Sequence, residues 1–565
     1  MRAVAPDWTG TRKIILGIDI GATQSAVAYS YLCPGKPQTL QRVVEWPGQP
    51  AHKGQSRIPS VIYYDRNNRP KLFGAEAMLS DNRDKAEDEG WELVRHFKFH
   101  LHPDDIKRRH DSSLEALPNR LSLSQIYSDF MTYLLHHTRT YFCDRVLNEA
   151  HVWETYHRDM TIVLAHPNGW GIKQQGFLRK AAIKAGLVTS DNTYSNVQFV
   201  SEAEASVHFC MFHTDLYQHM NTGVNFVVCD AGGSTIDTTA YCVRDTSPVL
   251  ELDETKASAC VQAGGVSVDK AFQRHLSSIL DKLHLSEELR NDYTHNACRE
   301  FEENVKKAFD GTGEELRINL GAGRMSNEEL NIRRGKLTLT KETVRSFFEE
   351  SVETAVDSIR QQKSRDSHTL VGGFGESLYL RSVVNSKFSG NNSRCSVTVT
   401  SDPNAKAVAD GSVLWSMKRT VVSRATRMAY GVPISVPYNP DNAAHLGRDP
   451  MMDDDGRVWS KSHPLTGKVM EADEAIRDDY IRTYDNPKPD LGSFSVNLYS
   501  YTGVGTDQNA WVMDKYGFRE KGFEVICRIT ADLSGMRKSL VKLKGLNGKY
   551  YRLHFKSLSS LGTLN

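Results

Sequence analysis

Apolar positions along this chain fall into strand-like and helix-like patterns that alternate. Ile14 to Ile20 is an almost unbroken apolar run ending at Gly21, as expected of a strand covered on both faces. A second run, Ala26 to Tyr31, follows a tight turn, and Ile58-Pro59-Ser60-Val61-Ile62-Tyr63 reads as a third strand. The segment Ser80 to Gly90 is charged and expected to lie exposed. Leu123, Ile126, Phe130, Tyr133 and Leu134 recur at helical spacing and predict an amphipathic helix over 122–146. Thr161 to Ala165 predicts a short buried strand stopped by Pro167, and Gln174 to Ala185 a helix capped by Gly186. Phe199-Val200 leads through Ser201-Glu202-Ala203-Glu204 into another helix.

The pattern then restarts. Asn225 to Asp230 predicts a buried strand, Ala231 to Ser234 a turn, and Thr235 to Val243 a second strand. Helical stretches follow at Cys298 to Phe309 and Lys341 to Arg360, then a short strand at His368 to Val371 before Gly372-Gly373, and a helix at Asn404 to Trp415. Past residue 420 the character changes. The segment 434–490 is rich in Pro, Asp, Asn and Gly and is expected to be irregular. Beyond it, Phe494, Val496 and Leu498 alternate with polar residues, as do Phe523, Val525, Cys527 and Ile529. Val541 to Leu543 and Tyr551 to Phe555 flank Asn547-Gly548, a favoured hairpin turn. Residues 421–565 therefore read as a separate β-rich domain.

Bulk properties narrow the functional classes. The 565 residues are 39% hydrophobic and 25% charged, with 70 Lys+Arg against 69 Asp+Glu, so no charge bias favours nucleic acid or an anionic membrane. No stretch is long and apolar enough to span a bilayer, and 1–12 reads as a polar tail without a signal-peptide core. Nine cysteines without paired or metal-ligand spacing suggest reduced thiols and a cytoplasmic location.

The candidate chemistry lies in one design written twice. Gly17-Ile18-Asp19-Ile20-Gly21-Ala22-Thr23-Gln24-Ser25 and Val228-Cys229-Asp230-Ala231-Gly232-Gly233-Ser234-Thr235-Ile236-Asp237 each join an apolar strand, an Asp near its end, a Gly-containing turn with a hydroxyl residue, and a second strand. Glycines let backbone N–H groups approach phosphate oxygens closely, and hydroxyls add hydrogen bonds. An Asp at each strand end suits Mg²⁺, held directly or through its waters. A third element, Leu370-Val371-Gly372-Gly373-Phe374-Gly375-Glu376-Ser377, ends a strand in a Gly pair that allows close approach to a ring or ribose.

In this order and spacing the three motifs resemble the actin, sugar-kinase and seventy-kilodalton heat-shock superfamily, and the heat-shock branch fits best. Ile58-Pro59-Ser60-Val61-Ile62 is similar to its Pro-Ser strand, Phe199-Val200-Ser201-Glu202-Ala203-Glu204-Ala205 to its Asn-Glu-Pro-Thr-Ala-Ala segment, and Glu303-Asn304-Val305-Lys306-Lys307 to its adenine-clamping helix. Asp402-Pro403-Asn404 with Ala407 to Gly411 resembles its Asn-Pro-Asp helix. The resemblance covers about 13–420 and points to a divergent branch without the helical lid.

That resemblance implies an α/β, two-lobed actin-like (ribonuclease H-like) ATPase fold with a C-terminal β-rich domain. Lobe I would comprise about 13–220 and 400–420, and lobe II about 221–399. ATP or ADP would bind with Mg²⁺, the metal surrounded by Asp19, Asp230 and Glu202. Gly21, Ala22, Thr23, Gly232, Gly233, Ser234, Thr235, Gly264 and Gly265 would line the phosphates. Glu303, Lys306 and Lys307 would clamp adenosine, with Gly372, Gly373, Phe374 and Asn404 completing the nucleotide's surroundings. Lys98 would reach the γ-phosphate and the attacking water, and Asp237 would help order that water or a monovalent ion.

Departures bear on turnover. Ala22 stands where a hydroxyl residue is usual, Ser234 where a third glycine is usual, and Phe374 where a small hydroxyl residue is usual. The arginine usual after Pro167 is not evident, and Gln174 or Gln175 stands at its expected place. The function expected is an ATP-binding, slowly hydrolysing, chaperone-like protein. Its partners would be an adenine nucleotide and unfolded polypeptides or a specific protein client. A nucleotide-binding scaffold without efficient turnover and a small-molecule or sugar kinase on the same fold are the alternatives.

Overall fold

The computed structural model describes residues 7–49, 54–103, 116–118, 120–146, 149–213, 220–247, 250–313, 315–321, 323, 325–363, 367–371, 377–388, 397–399, 407–418, 421–425, 429–431, 434–442, 445–448, 450–453, 455–463, 469–471, 475–501, 511–516, 518–546 and 548–560. The chain divides into two compact units, Met1–Val421 and Val422–Asn565, in a mixed α/β architecture.

The first unit is organised by two sheets. One runs in the order Gln41–Arg42, Gln24–Leu32, Lys13–Ile20, Thr161–His166, Val197–Ser201, with Ile58–Pro59 paired to Gln24–Leu32. Lys13–Ile20 and Gln24–Leu32 form an antiparallel hairpin, whereas Thr161–His166 runs parallel to both of its neighbours. Every position from Ile14 to Ile20 is buried because the two faces of the strand meet different helices. Ile14, Leu16, Ile18 and Ile20 pack with Ile126, Phe130 and Leu134 of the helix Leu123–Cys143. Ile15 packs with Val408, Ala409 and Val413 of the helix Ala407–Lys418. Gly17 permits that second packing, since a Cβ there would lie 2.4 Å from the carbonyl oxygen of Ala409.

The second sheet repeats the plan. Within this unit its strands run Val397–Val399, Ser367–Val371, Asn225–Ala231, Ile236–Asp245, Glu251–Glu254, with Ala259–Val261 paired to Ile236–Asp245. Asn225–Ala231 and Ile236–Asp245 form the second antiparallel hairpin, and Ser367–Val371 lies parallel to Asn225–Ala231. Cys229 and Ala231 join Phe272, Leu276, Phe301 and Phe348 on one face, and Phe226 and Val228 join Val207, Phe209 and Cys210 on the other. The helix Glu202–His213 covers that other face and also meets Ala407–Lys418 so closely that a Cβ on Gly411 would sit 1.8 Å from the carbonyl oxygen of Ala205.

Several local expectations change. Ser80–Glu89 is an α-helix with only Ala86 buried, ended by Gly90 in the left-handed region. The helical stretch expected at 298–309 is three pieces: α-helix Glu287–Glu300, a π-helical turn Phe301–Val305, and Lys306–Ala308. The helix Gly265–Leu280 escaped the sequence reading.

Among the described residues the second unit contains three three-stranded antiparallel sheets. Phe494–Tyr501 lies between Ala429–Gly431 and Phe523–Ala531; Val458–His463 between Ile434–Pro437 and Met451–Met452; and Gly548–Ser560 between Ala475–Tyr484 and Val541–Gly545. The segment 434–490 is thus not irregular: its described residues include five strands. Met451 and Met452 are exposed, so ladder hydrogen bonds rather than a buried face define their strand, and no alternation marks it in the sequence. The alternation at 523–529 marks a strand but not a uniformly buried face, because Phe523 is buried while Ile529 is exposed. The hairpin near residue 547 forms with Gly545 opposite Gly548, and Gly548, at φ 120°, opens the returning strand. Asn547 lies outside the described residues.

Candidate functional site

The turns of the two hairpins meet. A Cβ on Gly233 would lie 2.6 Å from Thr23 Oγ1, so only glycine allows the second turn to approach the first this closely. The second turn is itself tied to the start of the helix Gly265–Leu280. Gly264 N donates to Ser234 O, Gly265 N to Gly232 O, and Val266 N to Gly233 O. A Cβ on Gly264 would fall 2.5 Å from the backbone of Gly233. The first turn is braced from outside, where Ser60 N donates to Thr23 O and the Ser25 and Ser60 hydroxyls bond at 2.8 Å. Ala22 is buried with Phe99 and Val266.

Four carboxylates and one lysine gather beside these turns. Asp19 stands one residue before the end of the first hairpin's leading strand. Asp230 and Asp237 face each other across the second hairpin. Glu202 opens the helix Glu202–His213, and Lys98 lies in the short 3-10 helix Phe97–Leu101, entered through His96 in the left-handed region at φ 55°. Lys98 Nζ donates to Glu202 Oε1 at 2.5 Å, with both side chains buried. Lys98 also lies 5.7 Å from the centre of the Trp170 ring. Asp237 Oδ1 accepts from Asn168 N at 2.7 Å, and Asp230 Oδ2 accepts from the Ser206 hydroxyl at 2.9 Å. Glu204 faces elsewhere, accepting from Trp415 Nε1 at 2.7 Å.

The electrostatics of this group are unbalanced. Burial works to lower the Lys98 ammonium, but Glu202, Asp19 and Asp237 outweigh it and hold the lysine above its ordinary value. Burial pushes the Glu202 carboxyl up to about 8; Lys98 opposes this, while Asp19, Asp237 and Asp230 reinforce it. A single ammonium does not neutralise this set, so the donor chemistry suits an added hard cation. Among the described residues no three His, Cys, Asp or Glu side chains stand close enough to ligate one ion together.

The residues expected at the adenosine end are placed differently from one another. Phe301 and Val305 of the π-helical turn are buried, and Phe301 stacks on Phe272 with centroids 4.3 Å apart. Glu303 and Lys307 are exposed. Lys306 pairs with Asp269 at 2.6 Å rather than along its own helix, because the π turn displaces the helical spacing. Burial raises the Asp269 carboxyl to about 6 despite that lysine. Gly372, Gly373, Phe374 and Asn404 lie outside the described residues. Of the two glutamines weighed after Pro167, Gln174 accepts from Gly171 N and Gln175 is buried against His166 at 3.2 Å.

Three neighbours of the site escaped the sequence reading. Asn168 donates its backbone N–H to Asp237 and its side-chain amide to Thr239 Oγ1. His102 Nε2 lies 2.9 Å from Ser234 Oγ, and Trp170 Nε1 donates to His102 Nδ1 at 3.0 Å. Nothing in the spacing of these residues marks them, because each reaches the site through the tertiary meeting of the two hairpins. The only sequence hint is that His102 follows Lys98 within one short polar-aromatic segment.

No protein-family profile matches the chain. Heat shock 70 kDa protein 12A of Mus musculus is 21% identical over 573 residues, covering 87% of this chain and 82% of the relative. Its Homo sapiens counterpart is 20% identical, covering 86% and 81%. Heat shock 70 kDa protein 12B of Homo sapiens is 22% identical, covering 86% and 80%.

Proposed function

Proceeding from this chain's distant kinship with the heat shock 70 kDa proteins 12A and 12B, we propose that it binds ATP or ADP with Mg²⁺ between the two hairpin turns of an actin-like, two-lobed first unit. The observation that carries this reading is the meeting of the turns, with Asp19, Glu202 and Asp237 gathered about Lys98 and Asp230 near Glu202. In this reading Asp19 and Asp230 hold the waters of the cation, whose positive charge would neutralise polyphosphate. Gly21, Thr23, Gly232, Gly233, Ser234 and Thr235 receive the phosphates, and Gly264-Gly265 fixes the second turn beneath them. Glu303, Lys306 and Lys307 belong to the adenosine end. For Lys306 that role requires exchange of its Asp269 partner.

Slow hydrolysis is the chemistry proposed for the same group. Phosphoryl transfer is governed mostly by positioning and by stabilisation of developing charge. Lys98 supplies a fixed positive charge. Asp237, oriented by Asn168 N, would align the attacking water. Glu202, raised to about 8, can take up that water's proton only in its ionised form, so turnover through it should rise as pH rises toward 8. The buried, hydroxyl-free Ala22 favours a second reading, a nucleotide-binding scaffold with little turnover, and a single-turnover assay separates the two.

A chaperone-like role in the cytoplasm, with polypeptide captured by the strand-rich second unit, completes the proposal. None of the helices among the described residues is long and apolar enough to cross a membrane. The decisive measurement is a thermal-shift titration. Mg²⁺ with ATP or ADP at about 100 times Kd should stabilise the protein by roughly 2.7 kcal/mol. No shift with any adenine nucleotide at millimolar concentration would refute the reading.

A further inference from the structure

The Trp170–His102–Ser234 contacts form a directed chain of hydrogen bonds. An indole N–H can only donate, so His102 Nδ1, which accepts from it, carries no proton. A neutral His102 therefore bears its hydrogen on Nε2 and donates it to Ser234 Oγ, 2.9 Å away. Ser234 is thereby an acceptor toward His102, and its own hydrogen is left to point at another acceptor. All three side chains are buried, with relative exposures of 6% for Trp170, 2% for His102 and 5% for Ser234, so water competes little for these bonds. His102 directly follows the short helix that carries Lys98, whereas Ser234 belongs to the turn Gly232–Thr235. The chain of bonds thus ties the lysine's helix to the second turn.

We propose that His102 and Trp170 are positioning residues that fix Ser234 as a hydrogen-bond donor to a phosphate oxygen of the bound nucleotide. The inference rests on the reading of the two turns as a phosphate site. A phosphate oxygen of ATP or ADP is an acceptor, so a hydroxyl that accepts from His102 keeps its own hydrogen for this bond. Trp170 never touches the nucleotide in this arrangement. It acts only through the tautomer of His102 and the hydrogen of Ser234. The contact serves the phosphates alone, so it distinguishes ATP and ADP from adenosine.

Calorimetric titration of the full chain with Mg·ATP, Mg·ADP and adenosine tests this, using the wild type, Ser234→Ala, Trp170→Phe and the double variant. Ser234→Ala should weaken Mg·ATP about 10-fold or more, as loss of a hydrogen bond to a charged group does, and leave adenosine unchanged. Trp170→Phe removes the indole N–H, and should weaken Mg·ATP about 3-fold in the wild-type background and not at all once Ser234 is alanine. A purely structural role for the tryptophan would instead give additive losses and would weaken adenosine as well. Additive losses, or a Ser234→Ala protein that binds Mg·ATP as the wild type does, overturn the proposal while the nucleotide site stands. A wild type that binds no adenine nucleotide overturns both. Should Ser234→Ala fail to fold, Ser234→Cys, of similar size but a weak donor, carries the same comparison.

Discussion

Glu202→Gln should stabilise the nucleotide-free protein at alkaline pH, although it replaces the buried hydrogen-bond partner of Lys98. Burial is the main reason that the Glu202 carboxyl is raised from 4.5 to about 8, and three aspartates add to it against Lys98. A group raised in the folded state contributes stability that is fully present below its unfolded value and is lost as pH rises through its folded value. The window here runs from about pH 4.5 to about pH 8, where the folded protein keeps a proton that the unfolded chain has released. One such proton gives a slope of at most about 1.4 kcal/mol per pH unit, so roughly 5 kcal/mol is the ceiling over the window. Relaxation and water entry around the carboxylate reduce this to a few kcal/mol. Glutamine keeps an Oε1 acceptor for Lys98 Nζ, which donates to Glu202 at 2.5 Å, but it cannot ionise. Wild type and variant should therefore be about equally stable near pH 5, and the variant should lead by a few kcal/mol near pH 9. Urea unfolding of both proteins from pH 5 to 9, at fixed ionic strength and without Mg²⁺ or nucleotide, measures the difference. A variant that is less stable than wild type at every pH would mean that Glu202 is the ionised partner of Lys98, and the reasoning would fail.

Other perturbations probe separate parts of the site. Asp230→Asn should abolish most of the Mg²⁺-dependent thermal shift given by ATP; an undiminished shift would remove Asp230 from the cation's surroundings. Lys98→Ala should lower the single-turnover rate of ATP hydrolysis by about 10²–10³ while leaving nucleotide binding measurable, since the loss is of charge stabilisation during transfer. Gly411→Ala should cost about 3 kcal/mol or more, because its Cβ would lie 1.8 Å from the carbonyl oxygen of Ala205 and two helices would have to part. A melting temperature equal to wild type would contradict that packing.

The first unit was readable where burial writes a period into the sequence. Ile14 to Ile20 alternates between two helical coverings and is apolar but for Asp19 near its end, and Leu123–Cys143 shows its stripe directly. Gly17 and Gly411 show why the reading stops short of packing. Both are spaces for a neighbouring backbone, and the neighbour is named only by the fold. The π turn at Phe301–Val305 was invisible because a single widened turn keeps Phe301 and Val305 apolar while shifting Lys306 toward Asp269. The strands of 451–452 and 458–463 were hidden for the opposite reason: their ladder does not depend on a buried face at Met451 and Met452, so polarity gave no signal.

The duplication in the sequence also separates binding from chemistry. Asp19 and Asp230 occupy corresponding places near the ends of two hairpin strands, and each hairpin turns through a glycine before a threonine. Those features repeat, and they are the ones assigned here to cation and phosphate. Lys98, Glu202 and Asp237 do not repeat. Lys98 and Glu202 enter from a 3-10 helix and a helix start that flank the first sheet, and Asp237 comes from the second hairpin alone. A duplicated cradle tolerates the loss of one singular residue, because phosphate contacts from both turns persist. The hydrolytic group does not, because among the described residues its ammonium is supplied by Lys98 alone, and that ammonium touches Glu202 directly. Binding that outlasts turnover in Lys98→Ala is therefore the expected pattern. Simultaneous loss of both would place Lys98 in the cradle itself.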